Sequence, residues 1–181
     1  MRRALLPHPT TPCPQVRALT VEVVRNWREI LSLRFVIDGD ASAIVFAPKA
    51  ASLRTDELWK HTCFEAFIAD GEGYHEFNFA PSTQWAAYSF DGYRAGMRNA
   101  EIGTHLIHFR SDERRPVLTA EIDLTPLSTL IARDVWRMNL TAVIETTDGA
   151  RSYFALAHPP GRPDFHHAAG FVLDLPLTEQ T

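Results

Sequence analysis

Hydrophobic and polar residues alternate along most of this chain, which is the pattern typical of β-strands with one buried face. The alternation is clearest between Asp56 and Met97, where three runs are separated by short turn-forming clusters. We interpret these runs as three consecutive antiparallel strands, called here the central strands. They cover residues 58–68, 74–80 and 84–90.

The same alternation continues on both sides of the central strands. It predicts further strands at residues 19–25, 30–38, 44–46, 104–110, 117–124, 137–146, 152–158 and 171–175. One short helix is predicted at residues 126–133, with Thr125 as N-cap and Pro126 at its first position. Many short strands with one helix do not form β-α-β units. The predicted fold class is therefore all-β, an antiparallel and jelly-roll-like β-sandwich.

Four prolines between Pro7 and Pro14 separate the first residues from this pattern. Because proline cannot donate a hydrogen bond to a strand ladder, we expect residues 1–18 to form an extended, poorly ordered arm. Residues 19–176 are predicted to form a single β-sandwich domain, and residues 177–181 a C-terminal tail. A chain of 181 residues is long enough for one such domain with its own core.

The charge and the apolar runs of the sequence argue against nucleic acid and membrane as binding partners. Eighteen Lys and Arg residues against 22 Asp and Glu residues give a net charge of -4, without the basic footprint that nucleic-acid binding requires. No apolar run reaches membrane-spanning length, and the run after Arg2 and Arg3 is too short for a signal peptide. We expect a cytoplasmic protein that binds neither nucleic acid nor membrane. The composition predicts no particular oligomeric state.

The central strands carry polar and aromatic residues on one face and plain core residues on the other. Strand alternation places Glu65 on the mixed face of the first strand, and Glu76 and Asn78 on that of the second. Trp59 and Trp85 are assigned to the same face, with Ala86, Tyr88 and Phe90 on the core face. A register slip of one residue would invert any of these assignments.

Such a face has the chemistry of a saccharide site. Aromatic planes stack on the apolar side of a pyranose, while carboxylate and amide groups bind its hydroxyls. The alternative is a solvated sheet face with half-buried tryptophans, which is the commoner explanation for any one of these residues. Arg94 could clamp an anionic ligand, or pair with a surface acid such as Asp91. The candidate ligand-binding residues are Trp59, Glu65, Glu76, Asn78, Trp85 and Arg94.

Other chemistries have weaker signals. Glu65 and Glu76 could be the acid and base of a glycan-active enzyme, but no Gly-x-Ser-x-Gly motif is present, and we favour binding over catalysis. Residues 158–167 contain three histidines and Asp164, in a Pro-rich loop without metal-ligand spacing, so no metal site is predicted. Haem would need an axial ligand, for which Met97, Met138 and His158 are candidates. The sequence requires no cofactor, and leaves haem and calcium open.

Several motifs together resemble the DOMON-like bacterial proteins related to family 9 carbohydrate-binding modules. They run through most of residues 20–175, and any one of them alone would be weak. They comprise Leu58-Trp59, Thr62-Cys63-Phe64-Glu65-Ala66-Phe67, Tyr74-x-Glu76-Phe77-Asn78-Phe79-x-Pro81-Ser82, Trp85-Ala86-Ala87-Tyr88, Tyr93-Arg94-x-Gly96-Met97 and His158-Pro159-Pro160-Gly161-x-Pro163-Asp164-Phe165-His166-His167.

The resemblance implies a β-sandwich of the kind used by sugar-binding modules and by haem- or sugar-binding DOMON domains. It implies that the strand of Glu65 corresponds to the acidic strand of that superfamily, with Trp59 and Trp85 as candidates for its stacking tryptophans. We expect the chain to differ from secreted members by the absence of a signal peptide and of an attached enzyme. The function expected is a non-catalytic module for a saccharide or a similar small polar ligand, with a haem- or redox-binding domain as the alternative.

Overall fold

A computed structural model describes residues 1–112 and 115–178 of the chain. Within these residues the fold is built almost entirely from antiparallel strands, as the all-β prediction required. The twelve strands are β1 (Arg2–Pro7), β2 (Val16–Arg25), β3 (Ile30–Gly39), β4 (Cys63–Asp70), β5 (Gly73–Phe79), β6 (Trp85–Phe90), β7 (Arg98–Asn99), β8 (His105–Arg110), β9 (Val117–Asp123), β10 (Val135–Glu145), β11 (Arg151–Ala155) and β12 (Leu173–Pro176). One short helix, α1 (Ser128–Ile131), lies between β9 and β10.

The strands form two layers joined through β1. Sheet A has the order β1-β2-β3-β9-β8, and sheet B has the order β7-β6-β5-β4-β10-β11, with β12 paired to β10. β1 pairs with β2 through residues 2–5 and with β11 through Leu6 and Pro7. One strand therefore connects the two sheets into a curled sandwich.

The main hydrophobic core lies between the two sheets. Sheet A contributes Val21, Phe35 and Leu118, and sheet B contributes Phe64 and Leu140, all at most 1% exposed. Burial of this much apolar surface is the dominant stabilising contribution to a domain of this size. A second, smaller apolar cluster lies on the opposite face of sheet B.

The N-terminal residues differ from the expected poorly ordered arm. Residues 2–7 form β1, and structure begins there rather than near Leu19. The prolines do not prevent this, because Pro7 is the last residue of the strand and the other three follow it. The segment after β1 is also held, since the backbone N–H of His8 donates to Tyr153 O (2.7 Å).

Smaller differences concern element ends. Residues 44–46 form only an isolated bridge, between Ile44 and Thr146. Residues 58–60 form a 3-10 turn, Leu58–Lys60, and β4 begins at Cys63. The helix is shorter than predicted, and the two-residue strand β7 was not predicted. Of the predicted tail at 177–181, residues 179–181 lie outside the described residues.

Candidate functional site

The polar residues of the central strands lie on the outward face of sheet B, away from the main core. Pairing in register places Glu65 directly opposite Asn78 on β5 and opposite Thr141 on β10. Glu76 lies opposite Phe67 on β4 and Tyr88 on β6. Because paired residues in adjacent strands share a face, strands β4, β5, β6 and β10 together build one polar and aromatic surface.

Two hydrogen bonds organise the polar groups at its centre. The Asn78 amide donates to Glu76 Oε1 (2.7 Å), and the Thr141 hydroxyl donates to Glu65 Oε2 (2.9 Å). Glu65 is 2% exposed and Asn78 is 1% exposed. Among the described residues, neither glutamate forms an ion pair with Lys or Arg. Two buried carboxyl groups thus adjoin each other without a cation between them.

This environment changes the acidity of both groups. Burial raises the pKa of Glu65 from 4.5 to about 8, and repulsion from the neighbouring Glu76 carboxylate adds to the shift. Burial also raises the pKa of Glu76 to about 6, against the Asn78 hydrogen bond and the Arg94 charge, which lower it. Desolvation favours the neutral form of a carboxyl group. At neutral pH the pair therefore carries fewer than two negative charges.

Residues 158–171, called here the cover segment, pack over this face. Phe165 and Phe171 join Phe67 in the smaller apolar cluster. A hydrogen bond joins the Tyr74 hydroxyl to His166 Nδ1 (2.7 Å), and His166 Nε2 lies 3.9 Å from Glu76 Oε2. Burial lowers the pKa of His166 to about 4, so its imidazole is neutral at neutral pH. The cover segment therefore closes one side of the glutamate pair with an uncharged group.

The cover segment is fastened to the β6–β7 loop through Asp164. Its carboxylate accepts hydrogen bonds from the Tyr93 hydroxyl (2.7 Å) and from Arg94 Nη2 (2.9 Å). Asp164 also accepts from the backbone N–H of His166 (3.1 Å). These three bonds hold its pKa below the usual value despite partial burial. Arg94 thus pairs with Asp164 across the loops, and not with Asp91.

The other side of the face is bordered by the 3-10 turn Leu58–Lys60. Leu58 packs against the smaller apolar cluster, which includes Tyr88. The Tyr88 hydroxyl donates to Asp56 Oδ1 (2.6 Å), which ties the segment before the turn to β6. Trp59 follows Leu58 and is 47% exposed. Trp59 therefore lies in the turn that forms this rim of the face, and not in a strand as predicted.

The assignment of Trp85 to this face is wrong. Trp85 pairs with Phe79, and both pack on the main core between the sheets. Its indole lies between the Arg54 guanidinium (4.5 Å) and the His105 ring (4.4 Å between centroids). The turn at residues 80–84, closed by the bond from Thr83 N to Ala80 O, sets this register. Ala86, Tyr88 and Phe90 consequently occupy the outward face, opposite to the predicted assignment.

The structure brings Glu65, Glu76 and Asn78 together, with Arg94 and Trp59 at separate parts of the rim. Sequence reasoning missed the roles of Tyr88, Asp164 and His166. The position of Tyr88 could have been inferred from the register of the β5–β6 hairpin, which pairs Tyr88 with Glu76. For Asp164 and His166 no local signal exists, because their partners are about 70 to 90 positions away in the chain.

The residues named as haem ligands do not fit that role. Met138 is fully buried in the main core, and Met97 is 64% exposed. His158 Nε2 is hydrogen-bonded to Leu6 O (2.8 Å), and its ring is in edge contact with His8. In residues 1–112 and 115–178, no group of three or more His, Cys, Asp or Glu side chains could hold a metal ion. No helix in the described part of the chain is long and apolar enough to cross a membrane.

Comparison with known proteins supports the fold. No family model and no curated protein matches the sequence. A crystal structure from Bacteroides uniformis, provisionally assigned as carbohydrate-binding, superposes with a TM-score of 0.58 at 10% identity, over 98% of this chain and 86% of that one. A family 9 carbohydrate-binding module from Caldicellulosiruptor kristjanssonii, solved with glucose, superposes with a TM-score of 0.53 at 8% identity, over 91% and 78%. The chain has the fold of these two proteins.

Proposed function

We propose that this protein is a non-catalytic binding module that takes a saccharide, or a similar small polyhydroxylated ligand, on the outward face of sheet B. The observation that carries the proposal is the buried pair of Glu65 and Glu76, bonded to Thr141 and to Asn78 respectively and without a Lys or Arg partner among the described residues. Buried carboxyl groups are costly unless other groups satisfy them. The two carboxyl groups lie outside the main core, so packing of the two sheets against each other does not explain why they are buried.

The chemistry of the face suits a sugar. Carboxylate oxygens accept hydrogen bonds from hydroxyl groups, and the Asn78 amide can both donate and accept. Trp59 supplies an exposed aromatic plane at the rim, on which the apolar side of a pyranose can stack. Arg94, which is about half exposed, offers a further donor at the other rim. The fold shared with a module solved with glucose supports this choice of ligand class.

The proposed site has a floor and a rim. Glu65 and Asn78 form the floor, and the ligand meets Glu76, Trp59 and Arg94 first. Since the cover segment lies over part of the face, binding involves displacement of residues around His166. Such a loop movement is common where a ligand is enclosed. Trp85 is not part of the proposed site, because it lies on the other face of the sheet.

The experiment that tests the proposal is a calorimetric screen of neutral mono- and disaccharides, beginning with glucose, against wild-type protein and two tryptophan variants. Trp59→Ala is expected to weaken binding by about five- to thirtyfold, since loss of a stacked aromatic costs roughly 1–2 kcal/mol. Trp27→Ala is the matched control. Trp27 is 46% exposed, lies in the β2–β3 turn and carries Arg28 over its ring, as Lys60 lies over Trp59.

No binding of any saccharide by the wild type, or equal affinities in the two tryptophan variants and in Glu76→Gln, would contradict the proposed site. A preserved affinity in Trp59→Ala together with a loss in Glu76→Gln would retain the carboxyl pair and remove the rim tryptophan from the site.

A second candidate function is carboxylate-dependent glycan chemistry at the same pair. The observation that favours it is the closeness of two buried carboxyl groups on adjacent strands, where burial raises the pKa of both Glu65 and Glu76 towards neutrality. A protonated carboxyl group beside a carboxylate can serve as general acid and base. Hydrolysis of p-nitrophenyl glycosides by wild type, lost in both Glu65→Gln and Glu76→Gln, would establish it. Turnover that is absent in wild type or unchanged in Glu76→Gln would eliminate it.

A further inference from the structure

A second polar site lies at the end of the β4–β5 hairpin, on the other face of sheet B from Glu76. His75 is directly opposite Ser89 on β6, and Ser89 is directly opposite Arg98 on β7, so their side chains share one face. A hydrogen bond joins Ser89 Oγ to His75 Nδ1 (2.9 Å), and His75 Nε2 lies 3.3 Å from Asp70 Oδ2. Hydrogen bonds thus connect the serine hydroxyl, the imidazole and the carboxylate in series.

Asp70, at the end of this hydrogen-bonded series, is fixed by bonds of its own. Its carboxylate accepts a hydrogen bond from the Thr129 hydroxyl and another from Arg133 Nε (3.1 Å). Both donors belong to α1 and the residues that follow it. A carboxylate fixed in this way orients the imidazole and stabilises it when it gains a proton. Burial lowers the pKa of His75, so the ring is neutral and able to accept a proton at neutral pH.

The three hydrogen-bonded side chains line a pocket of about 220 Å³. Asp70, His75, Ser89 and Arg98 line it, together with Glu72 and Phe90. Gly73 belongs to its wall, where a Cβ would lie 2.1 Å from Phe90 O, so a larger residue would disturb the pairing of β5 with β6. The pocket is smaller than most sites for drug-sized ligands. It suits a group of few atoms, such as an acetyl group.

We infer that Ser89, His75 and Asp70 form a hydrolytic site for small, uncharged acyl esters, separate from the proposed saccharide site. The Ser89 oxygen attacks the ester carbonyl and its proton passes to His75 Nδ1. The bond from the acyl carbon to the alcohol oxygen then breaks, and the alcohol leaves with that proton. Water then gives a proton to His75 and adds its oxygen to the acyl carbon. The bond from that carbon to Ser89 Oγ breaks, the acid leaves, and His75 returns the proton to Ser89 Oγ.

The charges around the pocket define the substrate class. Arg98 lies beside Ser89 on the same face, and its Nη1 donates to Asp91 Oδ1 (2.5 Å) and to Gly96 O (3.1 Å), which hold the guanidinium at the pocket. A cation in this position can stabilise the oxyanion of the tetrahedral intermediate. Asp70, Glu72 and Asp91 also line the pocket, so its acidic groups outnumber its one arginine. Repulsion therefore disfavours substrates that carry a carboxylate. A neutral acetyl ester satisfies both the size and the charge of the pocket.

The test uses the full chain, p-nitrophenyl acetate and a fluorophosphonate probe. We expect wild-type hydrolysis above the buffer rate, a decrease of about 100-fold or more in kcat/KM for Ser89→Ala, and a covalent adduct on Ser89 in peptide mapping. His75→Gln should abolish the adduct while leaving Ser89 in place. Ser82→Ala is the matched control, because Ser82 is also buried in the β5–β6 hairpin but is bonded to Gln84 outside the pocket.

Two results would overturn the inference: hydrolysis by wild type no faster than by Ser89→Ala, or an adduct that is absent or located on another serine. Thermal unfolding of each variant checks that the fold is kept. Adduct formation is measured on wild-type protein, so the inference remains testable even if Ser89→Ala does not fold. Asp70 is left unaltered, because its bonds to Thr129 and Arg133 also anchor α1.

Discussion

Glu65 lies directly opposite Asn78 in the antiparallel pairing of β4 with β5, and both side chains are almost completely buried on the outward face of sheet B. Asn78 in turn donates to Glu76. The register of one hairpin therefore brings two glutamates and one amide into a single cluster. That cluster is unusual because it is buried without belonging to the core between the sheets.

The glutamate pair makes stability depend on pH. A carboxyl group whose pKa is higher in the folded state than the ordinary 4.5 contributes stability that is complete below pH 4.5 and is lost as the pH rises through the folded value, about 8 for Glu65. Glu65→Gln cannot ionise. We expect the free energy of unfolding of this variant, relative to wild type, to increase between pH 5 and pH 8 in urea titrations and to level off at higher pH.

Glu121→Gln controls for the loss of one negative charge, because Glu121 is exposed on β9 of sheet A. A difference between Glu65→Gln and wild type that does not vary with pH would mean that the pair is solvated and not buried.

Trp85 should stabilise the fold without contributing to ligand binding. Its indole packs on the main core between Arg54 and His105. Trp85→Ala removes this partly buried side chain, and we expect a loss of about 2–3 kcal/mol in the free energy of unfolding. Saccharide affinity, measured by calorimetry under conditions where the variant is folded, should remain at the wild-type value. The opposite result, weaker binding with little loss of stability, would return Trp85 to the site.

The bond network of Asp164 should control the mobility of the cover segment. Asp164→Asn removes the ion pair with Arg94 but keeps an acceptor for Tyr93. We expect faster amide hydrogen exchange in residues 164–167, with a global change below about 1 kcal/mol, because exposed ion pairs contribute little to stability. Asp38→Asn, which breaks the exposed Arg17–Asp38 pair on sheet A, is the matched control. Exchange that is the same in both variants would show that apolar packing alone holds the cover segment.

Strand β1 should be an integral part of the domain. Leu5 is 3% exposed and Leu6 is 58% exposed, although the two residues are adjacent in one strand. Leu5→Ala should cost about 2–4 kcal/mol in chemical unfolding, and Leu6→Ala less than about 0.5 kcal/mol. Small and equal effects would support the poorly ordered arm that the prolines suggested.

The sequence was sufficient for the fold class and for most strands, because alternation is a local property that survives in each segment. It was also sufficient to place Glu65, Glu76 and Asn78 on one face, since they lie on two strands joined by a short turn. It failed at Trp85, because alternation divides a strand into two sets but does not say which set faces inward. The register of the 80–84 turn decides that, and it pairs Trp85 with Phe79.

Contacts between residues far apart in the sequence could not be predicted from local patterns. The bonds from Arg94 to Asp164 and from Tyr74 to His166 depend on where the cover segment lies in three dimensions. The strand character of residues 2–7 depends equally on two partners, β2 and β11, that supply its hydrogen bonds. The hydrogen-bonded series of Asp70, His75 and Ser89 forms only because the ends of three strands meet α1. No sequence motif predicts it.

The most direct test of the proposed binding face is an NMR titration of isotope-labelled protein with each neutral saccharide of the calorimetric screen. We predict that the backbone amides of Glu76 and Asn78, the indole N–H of Trp59 and the amides of residues 164–167 shift together with one dissociation constant. The indole N–H of Trp27 and the amides of sheet A should not move. Shifts confined to sheet A, or no shifts with any of these saccharides, would contradict the proposed site on sheet B.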